Sequence, residues 1–513
     1  MSGGTLRLLQ RLLVGSEERI ARRWQARLMD PGARERRAFV REFAIRGRSD
    51  IPVGLLEGGG NWNLIGMPAE RLISLRASIA GGTGTGKSSW LIGVLVALLR
   101  LDAYPVIIYD AKGETVDELL EHVIPYLLEH GLPDSFLDRL RVVRVFDRTN
   151  VPQLNLTLPQ RGVPKEAQAF AVASAVEQAL AEPLGGRMHH VLVRLVSLCI
   201  ELRLPLTEVL RWLEDANGFQ RAAARSADIA LREYARQGFR AENKESLKAL
   251  AARLNALLFW PDARLALCSP RALSFSEALS EPGLTLVHTG SPPAGAERLA
   301  RFFGAALLGM IVRALLDREV RDDTPRALFA AEEIQESLGP EEARQLSRLL
   351  STARFKREAV WLTNQSRSQL HAVDPGLVAA MRANVELNVQ FRSNPEDAAA
   401  FEYMLPINRD GEAARRDLIN SVARLPQRHC YLAVRDTGMT AQLVRAPRID
   451  FEAMRASGRA TPDETKERIR RGIVSMTRDQ VPLVNVVDVT DAVDEVVDRP
   501  PLPEGTDEFP VLG

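Results

Sequence analysis

The chain has 513 residues, 46% hydrophobic and 26% charged, and its 67 basic against 66 acidic side chains leave a net charge of +1. The length fits roughly two to four domains with ample core, and the composition is that of a globular protein rather than a disordered or fibrous one. The near-neutral balance names no partner, no run of eighteen apolar residues suggests a membrane span, and the scattered Cys199, Cys268 and Cys430 argue against a disulfide framework or a zinc site and fit a reducing cytosol.

Charge is uneven along the chain. Residues 1–50 carry more arginine than acid, and TLRLLQRLL followed by EERIARRWQARLMD reads as basic amphipathic helices. A helical hairpin docked on the core is one reading, and a partner-binding or membrane-surface helix is the other. The start lacks the features of a signal peptide.

The stretch SIAGGTGTGKSSW, Ser78 to Trp90, has the pattern G-x-x-x-x-G-K-S at Gly81, Gly86, Lys87 and Ser88. Apolar LISLRASIA (Leu72–Ala80) reads as a buried strand before it, and SSWLIGVLVALLRL as a helix after it. Strand, glycine loop and helix is the context in which this spacing cradles phosphates. Bare residues let backbone N–H groups curl round an anion, and the helix start adds positive potential. Gly81, Gly82, Thr83, Gly84, Thr85, Gly86, Lys87, Ser88 and Ser89 are therefore the candidate nucleotide-binding set. Lys87 is assigned to the β- and γ-phosphates of ATP, and Ser88 to Mg²⁺.

PVIIYDAKGE (Pro105–Glu114) reads as a strand ending at Asp110, a further nucleotide-site candidate, and LRVVRVFD (Leu140–Asp147) as another, with a helix over Val116–Gly131 between them. Residues 51–160 thus form the first half of an α/β core. Residues 161–283 turn to helical periodicity rich in Ala, Leu, Arg and Glu and read as an all-α insertion. Strand–helix alternation resumes over 284–455, with LTLVHTG, RALFAAEE, AVWLTNQ, ELNVQFR, CYLAV and AQLVRA as strands. The fold class expected is α/β, a RecA-like P-loop ATPase core with a mainly parallel sheet interrupted by that insertion. Residues 456–513 read as an acidic, partly disordered tail; the last thirty residues hold eight acids against the single base Arg499.

ATP hydrolysis needs carboxylates at the end of a neighbouring strand. RALFAAEEIQESLG supplies Glu332, assigned to the metal, and Glu333, assigned as general base. Magnesium holds tight octahedral geometry, so the extra methylene of Glu332 over Asp bears on turnover. Polar Asn364 and Gln365 tip the next strand, with Gln365 the candidate γ-phosphate sensor. STARFKREAV clusters Arg354, Lys356 and Arg357; in a ring, Arg354 is the candidate arginine finger reaching a neighbour's nucleotide.

The ordered set of IAGGTGTGKSS, VIIYDAKGE, ALFAAEEIQESLG and LLSTARFKREAVWLTNQSRSQL resembles the conjugative coupling ATPases (TraD/TraG-like) of the FtsK–HerA group, over roughly residues 51–450. In that family a similar Asp-x-Lys-Gly-Glu run follows the P-loop, matched here by Asp110, Lys112, Gly113 and Glu114. The resemblance implies a homohexameric ring that moves DNA through its pore or presents substrates to a type IV secretion channel. Three features depart from the pattern: no amino-terminal transmembrane helices, Glu-Glu in place of Asp-Glu, and the acidic, Pro-rich end. The expectation is a DNA translocase of a conjugation, mobile-element or defence system. The alternative is a protein-recruiting coupling module in which ATP controls assembly, with partners at the insert, the amino-terminal helices or the acidic tail. The expected location is the cytoplasm, with peripheral attachment at the inner face of a bacterial membrane as the variant.

Overall fold

The computed structural model describes residues 33–58, 61–147, 150–160, 163–180, 184–269, 271–401, 412–447, 471 and 483–485. The helices read before residue 33 and almost all of the acidic tail lie outside these residues. The strands are β1 (Asp50–Gly58), β2 (Asn61–Pro68), β3 (Ala77–Ala80), β4 (Pro105–Asp110), β5 (Leu140–Arg144), β6 (Asn150–Pro152), β7 (Gly283–His288), β8 (Ala327–Glu332), β9 (Glu358–Asn364), β10 (Leu387–Phe391), β11 (His429–Val434), β12 (Gln442–Arg445) and β13 (Leu483–Asn485). The chain divides into two compact units: residues 1–101, 364–368 and 384–450 form one, and residues 102–363, 369–383 and 451–513 the other.

In the first unit the strand order is β2-β1-β12-β11-β10-β3. β10 runs parallel to β3, with Asn388 beside Ser78 and Gln390 beside Ala80, and every other neighbouring pair in this unit is antiparallel. β3 and β10 are buried throughout, as expected of short apolar runs covered on both faces. The β1–β2 hairpin, which the sequence reading did not assign, is irregular between Pro52 and Gly54. The strand expected over Leu72–Ala80 is confined to Ala77–Ala80, because Ala69–Leu72 turns as a helix after Pro68. The helix Lys87–Leu99 follows the glycine loop and packs on β1, where Trp90 Nε1 donates to the Val53 carbonyl at 2.8 Å.

The second unit holds β5, β7, β4, β8 and β9 in that order, all parallel. These runs are rich in Val, Ile, Leu, Phe and Ala, and β4, β7, β8 and β9 show no polar-out alternation because both faces are covered. Parallel register carries Arg144, His288, Asp110 and Glu332 to one edge, where the carboxyl ends of the strands meet. From Lys165 to Leu267 every regular element described is a helix. The helix Glu297–Leu316 is long and apolar enough by length and composition to cross a membrane; 72% of its apolar window is buried, against the helices Lys165–Ala179 and Pro340–Thr352 among others. A small ribbon of β6 and β13 completes the unit. The mixed α/β class with a mainly parallel sheet is what the chain adopts.

Candidate active site

The glycine loop lies in the first unit and has the conformation its composition demands. Gly81, Gly84 and Gly86 have φ of +151°, +70° and +114°, a region costly to residues with a Cβ. A Cβ on Gly81 would lie 2.6 Å from Phe391 Cβ, and one on Gly86 would lie 3.1 Å from Arg428 Cα. Around Gly84 nothing comes within 4 Å of that position, so backbone angle alone calls for glycine there. Thr85 is buried and its Oγ1 closes the loop on the Gly82 carbonyl at 2.7 Å, while Thr83 and Gly84 are exposed.

Lys87 opens the helix and is itself buried. Its Nζ donates to the carbonyls of Gly81 at 2.7 Å and Gly82 at 3.1 Å. The ammonium is thus folded over the loop, held by neutral oxygens that a phosphate oxygen outcompetes electrostatically. Ser88 is half-buried and Ser89 exposed, both in the first turn of the helix.

Sequence reasoning missed two groups beside this loop, Gln427 and Arg428. The Gln427 side-chain amide donates to the Gly84 carbonyl at 3.1 Å, and the Arg428 N–H donates to the Thr85 carbonyl at 2.8 Å. Arg428 has φ +62° and its Cα lies where a Cβ on Gly86 would crowd it. Neither residue carries a local signal, because the segment that braces the loop comes from over 300 residues downstream. Asn364, read from the sequence as the polar tip of β9, also lies beside the loop. Its carbonyl accepts the Gly81 N–H at 3.3 Å, its side chain is fully buried, and both amide atoms lack a hydrogen-bond partner among the described residues. A buried primary amide in that state costs free energy unless something else satisfies it. Gln365, the favoured sensor, is half-buried beside it.

The second unit places Glu332 and Glu333 at the end of β8. Glu332 is buried and pairs in register with Asp110 of β4; its Oε2 accepts a short hydrogen bond from Thr115 Oγ1. Glu333 has φ +51°, and its Oε2 lies 3.7 Å from Lys112 Nζ and accepts from Gln335 Nε2. The Asp110 carboxylate accepts four backbone N–H groups, those of Lys112 (2.9 Å), Gly113 (2.8 Å), Thr115 (2.8 Å) and Val116 (3.3 Å). Asp110 therefore shapes its loop, and its oxygens are already engaged. His288, next to Asp110 on the other side, is buried; burial pushes its imidazole below the ordinary range, against the opposing pull of Asp117.

Arg354 lies in the turn after the helix Pro340–Thr352 and is exposed. Its two basic neighbours are committed locally: Lys356 Nζ donates to the Arg318 carbonyl, and Arg357 Nη1 to the carbonyls of Arg321, Asp322 and Thr324. That turn meets the start of β8, where the Ala327 N–H donates to the Arg357 carbonyl at 3.1 Å. Glu332 ends the same strand, which runs about 17 Å from Ala327 at ~3.3 Å per residue, so the turn and the acidic pair mark opposite ends of β8.

A G-x-x-x-x-G-K-S loop between a buried strand and a helix on an α/β core defines the class of fold, that of the P-loop proteins. The solved structures similar to this chain make it more specific. The unbound monoclinic form of the bacterial conjugative coupling protein TrwBdeltaN70 matches at 16% sequence identity with a TM-score of 0.51, covering 81% of this chain and 93% of that chain. The plasmid coupling protein TrwB in complex with ADP and Mg²⁺ matches at 16% identity and a TM-score of 0.52, over 81% of this chain and 92% of that chain. VirB4 of Thermoanaerobacter pseudethanolicus matches at 13% identity and a TM-score of 0.52, over 80% of this chain and 99% of that chain. No protein-family model matches the sequence, and no curated protein matches it. At these identities the likeness establishes the fold, and the resemblance to the coupling ATPases read from the motifs holds at that level.

Proposed function

We propose that the chain is an ATPase motor of the conjugation or type IV secretion kind, working in the cytoplasm as a homohexameric ring that moves DNA. The observation that carries this reading is the Gly81–Ser89 loop: positive-φ glycines, a buried Lys87 with its ammonium folded onto the loop, and a helix start at the same place. The residues present fit a nucleotide triphosphate with Mg²⁺, since the bare loop leaves amides for phosphate oxygens and Ser88 offers a hydroxyl for the metal. The solved TrwB complexes with ADP and Mg²⁺ and with the ATP analogue ADPNP support that choice. Bound ATP and Mg²⁺ supply the scissile phosphoanhydride and a divalent charge on its oxygens.

The chain's own residues then divide the work. Lys87 and the loop amides bind and orient the phosphates, Glu332 serves the metal side, and Glu333 takes a proton from the attacking water. Gln365, with Asn364 buried beside it, senses the terminal phosphate, and Asp110 acts through its loop. Arg354 acts on a neighbouring subunit, which its exposure and its separation from the acids of its own strand support. In this reading residues 51–160 and 284–455 form the motor and residues 161–283 an inserted all-α domain.

Purified protein should hydrolyse ATP, with turnover stimulated several-fold by double-stranded DNA. Lys87→Ala should abolish nucleotide binding or turnover, and Glu333→Gln should bind ATP and retain it uncut. A basal ATPase that DNA neither binds nor stimulates, but a secreted partner protein does, overturns DNA movement in favour of the protein-recruiting coupling module.

A further inference from the structure

The run from Asp110 to Thr115 contacts both carboxylates of the acidic pair. Asp110 ends β4 beside Glu332, and its carboxylate ties down the amides of Lys112, Gly113, Thr115 and Val116, which curls the chain into a tight, pinned loop. Gly113 has φ +93° and lies against the His288 ring so closely that a Cβ would penetrate it. The loop is thereby fixed from two sides and in backbone angle. Folded this way it delivers two side chains: the Thr115 hydroxyl to Glu332 and the Lys112 ammonium to Glu333.

Glu333 needs such help more than an ordinary strand-end residue does. Its left-handed backbone is disfavoured for a residue with a Cβ, so its direction is set by neighbours rather than by local preference. The carboxylate is mostly buried, its side chain 12% exposed, while that of Lys112 is 39% exposed. Oε2 accepts a hydrogen bond from Gln335 Nε2, and the Lys112 ammonium forms an ion pair with the same oxygen at 3.7 Å. Two groups converging on one oxygen bias rotation of the carboxylate about its terminal bond.

We propose that Lys112 is a positioning residue for Glu333, and that the Asp110-anchored loop exists to carry Lys112 and Thr115 to the acidic pair. The inference rests on the reading of Glu333 as the base that activates water. Misplacing such a group slows chemistry without loosening the nucleotide, and the expected loss of kcat in Lys112→Ala is about tenfold. KM for ATP and the affinity for a fluorescent ATP analogue should stay within about twofold, as the phosphates are held elsewhere.

The test uses the full chain with ATP and Mg²⁺, with duplex DNA wherever DNA raises wild-type turnover. Lys112→Met keeps the alkyl stem and removes the charge, so it should lose as much kcat as Lys112→Ala, and Lys112→Arg should recover most of it. Unchanged kcat in Lys112→Ala or Lys112→Met overturns the proposal, as does a loss that Lys112→Arg fails to reverse at all. A parallel fall in nucleotide affinity or in the thermal midpoint also overturns it, because that marks a collapsed site. Glu333→Gln separates the two levels: if it abolishes turnover while Lys112→Ala does not, the loop's role falls alone. If Glu333→Gln retains turnover, the assignment of the base falls and takes this inference with it.

Discussion

Gly113 and Gly131 both adopt left-handed backbone, at φ +93° and +102°, yet only Gly113 faces a side chain where a Cβ would sit. Gly131→Ala therefore meets backbone strain of roughly 1–2 kcal/mol, whereas Gly113→Ala adds a collision with His288. The expected outcome is a clearly larger drop in thermal midpoint for Gly113→Ala, with scanning calorimetry as the check, and equal drops would refute the collision. Glu358 gives a second residue-scale prediction. Burial pushes its carboxyl from 4.5 up to about 8, against the opposing pull of Arg318 and Lys356, and neither oxygen has a hydrogen-bond partner among the described residues. The folded chain keeps this proton to about pH 8 while the unfolded chain releases it near 4.5, so the group's contribution to stability falls as pH rises between those values. The slope is up to about 1.4 kcal/mol per pH unit. Glu358→Gln should flatten that decline in denaturant titrations from pH 5 to 8. Glu342, pushed up to about 7 chiefly by its own burial, adds a slope of the same sign over a narrower pH window. Neither buried carboxyl announces itself in the sequence, since burial is a property of what packs around it.

Between strand, loop and helix, the glycine loop's conformation was readable because its physical requirements fall within one short window: bare residues, a lysine at fixed spacing and a helix that starts at once. The β1–β2 hairpin was not readable, because Gly54, Pro52 and the glycine run at 58–60 break the alternation that marks a strand, and the partner on the other edge of β1 is β12, from far downstream. The apolar LISL segment misled for a different cause. Leu72, Ile73 and Leu75 are buried, as a strand's residues are, but they belong to a helical turn and its exit. Periodicity served better in the insertion, where the helix Gly186–Leu202 buries Val191, Leu192, Leu195, Val196 and Cys199 along one face. The arginine-rich stretch after it is not one helix: it breaks into Ala216–Ala223, Ile229–Glu233 and a wide turn over Tyr234–Gly238, and Arg194 stacks on Tyr234 at 4.0 Å. Trp90 offers a test at this scale. Its indole N–H satisfies a buried Val53 carbonyl and fastens the helix after the loop to β1. Trp90→Phe keeps most of the packing and strands that carbonyl, at a cost of about 1–3 kcal/mol. Denaturant unfolding should show that loss, with nucleotide affinity falling less than in Lys87→Ala; an unchanged unfolding midpoint would mean water replaces the indole.

Across the whole chain, order in sequence and membership in a compact unit part company. Five residues, Asn364 to Ser368, belong with the glycine loop, while the residues on either side belong to the other unit. Asp397 fastens them there by accepting from Ser366 Oγ and the Arg367 N–H, and Arg367 Nη2 reaches Ser78 Oγ at 3.4 Å. Such a short visit leaves a polar motif in the sequence and no sign of where it docks. The placement of Arg354 raises the corresponding question of whether the machinery is complete in one copy. Exposed and at the opposite end of β8 from Glu332, it cannot serve the acids of its own strand without a large rearrangement. In the proposed ring, each copy would lend its arginine to the next. Lys87→Ala and Arg354→Ala proteins should then each be inactive alone, for different reasons. Mixed in equal amounts under conditions that allow subunit exchange, they should regain about a quarter of wild-type turnover, since one interface in four joins an intact loop to an intact arginine under random assembly in a ring. Activity of Arg354→Ala alone would remove the residue from the chemistry. Two inactive variants that stay inactive after mixing, in a particle shown by light scattering to contain both, would mean that loop and arginine must come from the same chain.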